Sequence, residues 1–121
     1  MKVDWAFPAF CTKVIDGDTI DVIMDVGFHC TRTERLRLLG VNCPEVHGPS
    51  AVDGMRAKQF TQATLSEWMV TGVKWPLVVQ TFKADVFGRY LARVWPADTL
   101  NGSPDLSSLL LASNNAVPFN G

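Results

Sequence analysis

The chain has 121 residues, 47% of them hydrophobic, which suits one domain (residues 1–121) with a real core. No apolar run approaches the ~20 residues of a membrane span; Met1-Lys2-Val3-Asp4-Trp5 carries an early acid with no apolar stretch behind it, so no signal peptide is expected and a cytoplasmic setting is favoured. A net charge of −1 and a pI near 6.0 exclude a broadly basic surface, so any polyanion would have to be met by a local cluster of cations rather than by tight, non-specific, salt-dependent binding.

Phe7 to Ile15 predicts a first strand, with Pro8 near its start, where proline is tolerated. Asp16-Gly17-Asp18-Thr19 is a strong turn signal between two strand-like runs. Ile20, Val22, Met24 and Val26 then alternate with Asp21, Ile23 and Asp25, a half-buried second strand that Gly27 breaks. Thr31 to Val41 predicts a third strand. His47-Gly48-Pro49-Ser50 is a loop, and Ser50 with Asp53 suggests a capping-box start to a helix from about Ala51 to Met69. Val52, Met55, Phe60 and Ala63 fall within roughly 140° of a helical wheel and are expected to form its core face. Thr71-Gly72 stops the helix. Leu77 to Phe82 and Tyr90 to Trp95 predict a fourth and a fifth strand. Ser103-Pro104 predicts the start of a short helix with Leu106, Leu109 and Leu110 on its apolar face; Asn114-Asn115 would end it in the left-handed conformation, and Val117 to Gly121 is a tail.

Three consecutive strands, a helix, two strands and a short helix suit an α+β fold. The expected architecture is a five-stranded, OB-like Greek-key barrel with the long helix between strands three and four. Cys11, Cys30 and Cys43 are odd in number and lack CxxC spacing. Reduced thiols are expected rather than a disulfide framework or a zinc site, although spacing leaves a Cys11–Cys30 bridge open.

Arg35-Leu36-Arg37-Leu38-Leu39-Gly40-Val41-Asn42-Cys43-Pro44-Glu45 is the stretch around which the chain is organised. On a strand, Leu36 and Leu38 would feed the core while Arg37 looks over a cleft, and the Pro44 corner would hold Glu45 near it. Taken alone, the stretch also reads as an ordinary edge strand with two solvated arginines and a turn acid. Four features at element ends change the balance: Asp18, Arg37, Glu45 and Arg89. Phosphodiester hydrolysis needs cations where negative charge develops on phosphorus, and Arg offers a planar fork to two phosphate oxygens. It also uses oxygen ligands for a hard cation and a carboxylate to take the proton of the attacking water.

Val14-Ile15-Asp16-Gly17-Asp18-Thr19, Arg37 to Glu45, and Phe87-Gly88-Arg89 together resemble the signature blocks of the staphylococcal nuclease (thermonuclease-like) family. The resemblance implies an OB-like barrel and a hydrolase, expected to be a monomeric endonuclease, that cuts DNA or RNA using Ca²⁺. By position, Asp18 resembles the metal-binding aspartate, and the backbone carbonyl of Cys43 a further ligand. Arg37 and Arg89 resemble the two transition-state arginines, and Glu45 the general base. Phe87 and Phe119 resemble aromatic residues beside the nucleotide. Asn42 lies where the family usually has a second metal-binding Asp. An amide oxygen can ligate but brings no charge, so affinity should fall and Mg²⁺ or Mn²⁺ enters as an alternative. Val86 replaces a basic residue, and the loop after Glu45 lacks a run of lysines. These departures keep a second expectation in play, a weak or inactive module of the same fold that binds nucleic acid or protein.

Overall fold

The computed structural model describes residues 5–82, 90–97 and 104–119. Its elements are β1 (Ala6–Asp16), β2 (Thr19–Gly27), β3 (Cys30–Leu38), β4 (Val41–Asn42), α1 (Ala51–Trp68), β5 (Leu77–Phe82), β6 (Tyr90–Pro96), α2 (Leu106–Ala112) and β7 (Val117–Pro118). Five strands close a barrel in the order β1-β2-β3-β6-β5, with β5 returning to β1 through Ala6↔Gln80 to Ala9↔Leu77. All neighbours are antiparallel except β3 and β6, which run parallel over Leu36↔Tyr90, Arg37↔Leu91 and Leu38↔Ala92. A parallel pair needs a crossover, and α1 with β5 lies between those two strands in the chain. This is the expected OB-like α+β barrel. No helix among the described residues is long and apolar enough to cross a membrane.

Alternation accounts for the barrel interior. Ile20, Val22 and Met24 of β2, Leu36 of β3, Leu77 and Val79 of β5, and Ala92 and Val94 of β6 point inward, and all are buried. Leu65 of α1 with Leu106 and Leu110 of α2 adds helix side chains to the same core. Register shifts between Cys11 and Lys13 and between Val14 and Asp16 interrupt the pairing of β1 with β2, and such irregularities bend a strand and help a sheet curl into a barrel. The β2–β3 connection is a two-residue turn in which Phe28 and His29 both have positive φ, 56° and 59°; Phe28 is 98% exposed. All three cysteines are free thiols.

Several expectations from the sequence need correction. The third strand does not run on to Val41: it ends at Leu38, Gly40 turns at φ 83°, and Val41–Asn42 is a separate strand. The expected tail is structured, since Val41 pairs with Pro118 and Asn42 with Val117. At α1, Ser50 occupies the N-cap but its side chain makes no cap hydrogen bond, and Asp53 instead meets Arg56 at 3.4 Å. At α2, the cap is Asp105, which accepts from the Ser108 amide at 3.1 Å, so Pro104 precedes the cap rather than opening the helix. Asn114 ends α2 at φ 61°, as its composition predicts.

The largest correction concerns the face of α1. Val52 is 75% exposed and Met55 43%; Ala63 is also exposed, and Phe60 only borders the core. The buried residues are Gly54, Ala57, Thr61 and Leu65. The helix lies so close to the backbone beneath it that large side chains do not fit there. A Cβ at Gly54 would collide with the carbonyl of Glu45 and stand 2.7 Å from the amide nitrogen of Val46.

Candidate active site

The site is built where the β1–β2 turn meets the end of β3. Asp16 and Thr19 pair across the turn, leaving Gly17 and Asp18 as its two central residues. Gly17 is needed because a Cβ there would stand 2.8 Å from the Cβ of Ala57 and 3.0 Å from the Sγ of Cys43. Register then places Thr19 opposite Arg37, and the Leu38 amide donates to the Asp18 carbonyl at 2.8 Å. Backbone pairing thereby brings the carboxylate of Asp18 to the guanidinium of Arg37.

Asp18 is 6% exposed and Arg37 7%. Arg37 Nη1 lies 2.8 Å from Asp18 Oδ2. Charges this deeply placed persist only when paired and hydrogen-bonded, and the surroundings supply both. Asp18 Oδ2 also accepts from the Cys43 amide at 2.8 Å, and Oδ1 accepts from the Thr19 hydroxyl at 3.1 Å. Arg37 Nη2 donates to Asn42 Oδ1 at 3.0 Å. Nη1, although at ion-pair distance from Asp18, is out of line for a hydrogen bond and has no hydrogen-bond partner among the described residues. Phe119 lies over the guanidinium, its ring centroid 5.6 Å from Arg37 Cζ. It is carried there by β7, and its amide donates to the Gly40 carbonyl at 3.0 Å.

Asp18, Arg37, Asn42, Cys43 and Phe119 therefore come together. Glu45 does not join the ion pair. It is exposed, and its carboxylate has no ion-pair or hydrogen-bond partner among the described residues. The ion pair that Arg37 makes is with Asp18. Phe87 and Arg89 lie outside the described residues. Arg37, expected to look over a cleft, is itself buried. Arg35, its neighbour along the strand, is exposed and pairs with Asp21 at 2.8 Å.

Cys43 contributes through its backbone. Burial pushes its thiol up to about 12, with the nearby Asp18 carboxylate adding to the rise. It is a neutral thiol at ordinary pH, not a thiolate ligand or nucleophile. A cavity of about 490 Å³ adjoins the site, walled by Asn42, Pro44, Asp53, Arg56, Asn114 and Asn115 among others. It extends the site along the side where β4, α1 and the end of α2 meet.

The donor set suits an oxygen-seeking cation in kind. Asp18, Asn42 and the Cys43 carbonyl are hard oxygen donors. A carboxylate has about four lone-pair positions and an amide oxygen two, so the hydrogen bonds just described leave capacity on both side chains. The set carries one negative charge, and among the described residues no group of three His, Cys, Asp or Glu is placed to hold a metal ion.

Sequence reading missed the supports under this site. Thr61, fully buried on α1, donates its hydroxyl to the Gly17 carbonyl at 2.6 Å. The available signal was the run of small residues at 54, 57 and 61, spaced three and four apart.

No family model matches the chain. Over 91 residues it is 35% identical to the thermonuclease of Staphylococcus intermedius, a match covering 73% of this chain and 48% of that protein. The chain thus spans about half the length of the curated relative it matches, and its similarity is to a thermonuclease.

Proposed function

We propose that residues 1–121 form one nuclease domain, a metal-dependent endonuclease that hydrolyses phosphodiester bonds of DNA or RNA and acts as a monomer. The observation that carries this reading is the convergence of Asp18, Arg37 and Asn42 at one end of the barrel, in a chain similar to a thermonuclease. A buried ion pair costs desolvation that apolar residues would avoid, and one guanidinium nitrogen still lacks a hydrogen-bond acceptor among the described residues. That nitrogen is buried 2.8 Å from Asp18 Oδ2, so in this reading it turns to a phosphate oxygen only as that contact opens.

In this reading Asp18, Asn42 and the Cys43 carbonyl hold Ca²⁺, with Mg²⁺ or Mn²⁺ as alternatives. The ion supplies positive charge against the phosphate. Arg37 donates to the oxygens that gain charge at phosphorus, and Arg89 is assigned the same task from the segment before Tyr90. Glu45, exposed and free of partners among the described residues, takes the proton of the attacking water. Phe119, with its face half open beside Arg37, receives a base of the substrate, and Phe87 is assigned a similar contact.

A second reading is a binding module without catalysis. Asn42 in place of a carboxylate and the engagement of both side-chain ligands with Arg37 favour it. Digestion of single-stranded DNA and of a plasmid at low salt separates the two. The metals are Ca²⁺, Mg²⁺, Mn²⁺ or a chelator, and Glu45→Gln is run alongside. Cleavage that requires Ca²⁺ and is lost in Glu45→Gln supports the nuclease. Cleavage with Mg²⁺ or Mn²⁺ alone keeps the nuclease and reassigns the metal. Absence of cleavage with every metal, from a folded protein, transfers the conclusion to the binding module.

A further inference from the structure

The buried face of α1 touches both halves of the site through their backbones. Gly54 abuts the Glu45 carbonyl so closely that no side chain fits between them. One turn on, Ala57 meets Gly17, where an added Cβ would come within 2.8 Å. One further turn on, Thr61 donates to the Gly17 carbonyl at 2.6 Å. Gly17 precedes Asp18 directly. Residues 54, 57 and 61 fall within roughly 60° of one another on the wheel, and the first and last are about 10 Å apart along the axis. One rigid element thus grips the Glu45 segment at one point and the Asp18 turn at two others. The Cys43 amide, donating to Asp18 Oδ2 at 2.8 Å, closes the triangle.

We infer that Gly54, Ala57 and Thr61 are positioning residues, and that α1 is the spacer setting the separation of Glu45 from the Asp18–Arg37 pair. The assignment of that separation to catalysis rests on the nuclease reading; the spacer itself does not. The choice of residues follows from the task. Backbone resting on backbone fixes a distance more tightly than two side chains with their own rotamers. Gly54 costs helix propensity, about 1 kcal/mol relative to Ala, and is the residue that permits the contact with Glu45. Thr61 adds direction, because its hydroxyl must reach one carbonyl. Leu65, on the same buried face one turn beyond, is the internal contrast: it belongs to the hydrophobic core and is not part of either grip.

The test uses four variants of the full chain: Gly54→Ala, Thr61→Val, Thr61→Ser and Leu65→Ala. Two readouts are taken on each, the kcat and KM of DNA cleavage and amide hydrogen exchange over residues 15–19 and over 41–43, the hydrogen-bonded stretch leading to Glu45. In Gly54→Ala, kcat is expected to fall about 10- to 100-fold with KM within about twofold, since misplacing a catalytic group by about 1 Å costs on that order. Its exchange should rise over 41–43 and stay unchanged over 15–19. Thr61→Val should raise exchange over 15–19, and Thr61→Ser should restore it. Leu65→Ala should lower global stability while leaving kcat and both segments' exchange near wild type. Two results overturn the spacer: wild-type exchange at both segments in Gly54→Ala and Thr61→Val, or an equal kcat loss in Leu65→Ala. Should Gly54→Ala fail to fold, the Thr61 pair decides alone. A wild-type protein that cuts nothing removes the nuclease reading, and the exchange results still uphold or overturn the spacer.

Discussion

Removing either member of the Asp18–Arg37 pair should destabilise the fold far more than removing both. The two charges are 2.8 Å apart. At an effective dielectric near 20, their attraction is about 6 kcal/mol. Desolvating two buried ions costs several kcal/mol each, so the intact pair contributes little net stability. Losing one partner strands the other. In Arg37→Met, Asp18 keeps the Cys43 amide and the Thr19 hydroxyl, and a cost near 3 kcal/mol is expected. In Asp18→Asn, Arg37 keeps only the Asn42 oxygen and the Phe119 ring, and about 4 kcal/mol is expected. The double variant should lie within about 2 kcal/mol of wild type, a coupling of several kcal/mol. Urea unfolding in chelator, at low and at high salt, measures all four corners. Salt should hardly change the coupling, because a buried pair is poorly screened. Single variants costing under about 1 kcal/mol, or costs that simply add, would refute the claim that Arg37 is held by Asp18 and that burial makes the pair interdependent.

Three further expectations follow from other parts of the molecule. Replacing Phe28-His29 by Asn-Gly should raise stability by about 1–2 kcal/mol, because both positions hold the left-handed conformation that bulky residues resist; thermal unfolding checks this. Asp105→Ala should cost about 2–3 kcal/mol in urea, since Asp105 caps α2, binds the Ser108 hydroxyl and pairs with Arg93 at 2.9 Å while only 4% exposed. Stability should also fall at alkaline pH. Burial pushes Cys11 up to about 11 and Cys43 up to about 12 from 9.0. Between those values the folded chain holds protons that the unfolded chain releases, so the contribution is complete below pH 9.0 and is lost as pH rises toward the folded values. Urea midpoints across that range should decline less steeply in Cys43→Ala than in wild type; parallel slopes would contradict the assignment.

The alternation of Ile20, Val22 and Met24, the turn at Gly17–Asp18, the span of α1 and the strand at Leu77 to Phe82 were all legible in the sequence, because each rests on a local period or a local turn preference. Asn114 at the end of α2 was legible for the same reason. Arg37 and Asp18 could each be singled out by residue type and resemblance, but their partnership could not. It depends on the register of β2 against β3, which places Thr19 opposite Arg37. Phe119 reached the site through the pairing of β4 with β7, a contact between segments more than seventy residues apart. The face of α1 was misjudged for a related reason. A helical wheel ranks faces by hydrophobicity, whereas the face that is buried depends on what lies beneath it. Here the backbone of the Asp18 turn and of Glu45 lies beneath, close enough to select glycine, alanine and threonine over methionine and phenylalanine. Hydrophobic period is a property of the chain; the distance between a helix and its neighbour exists only once the barrel has closed.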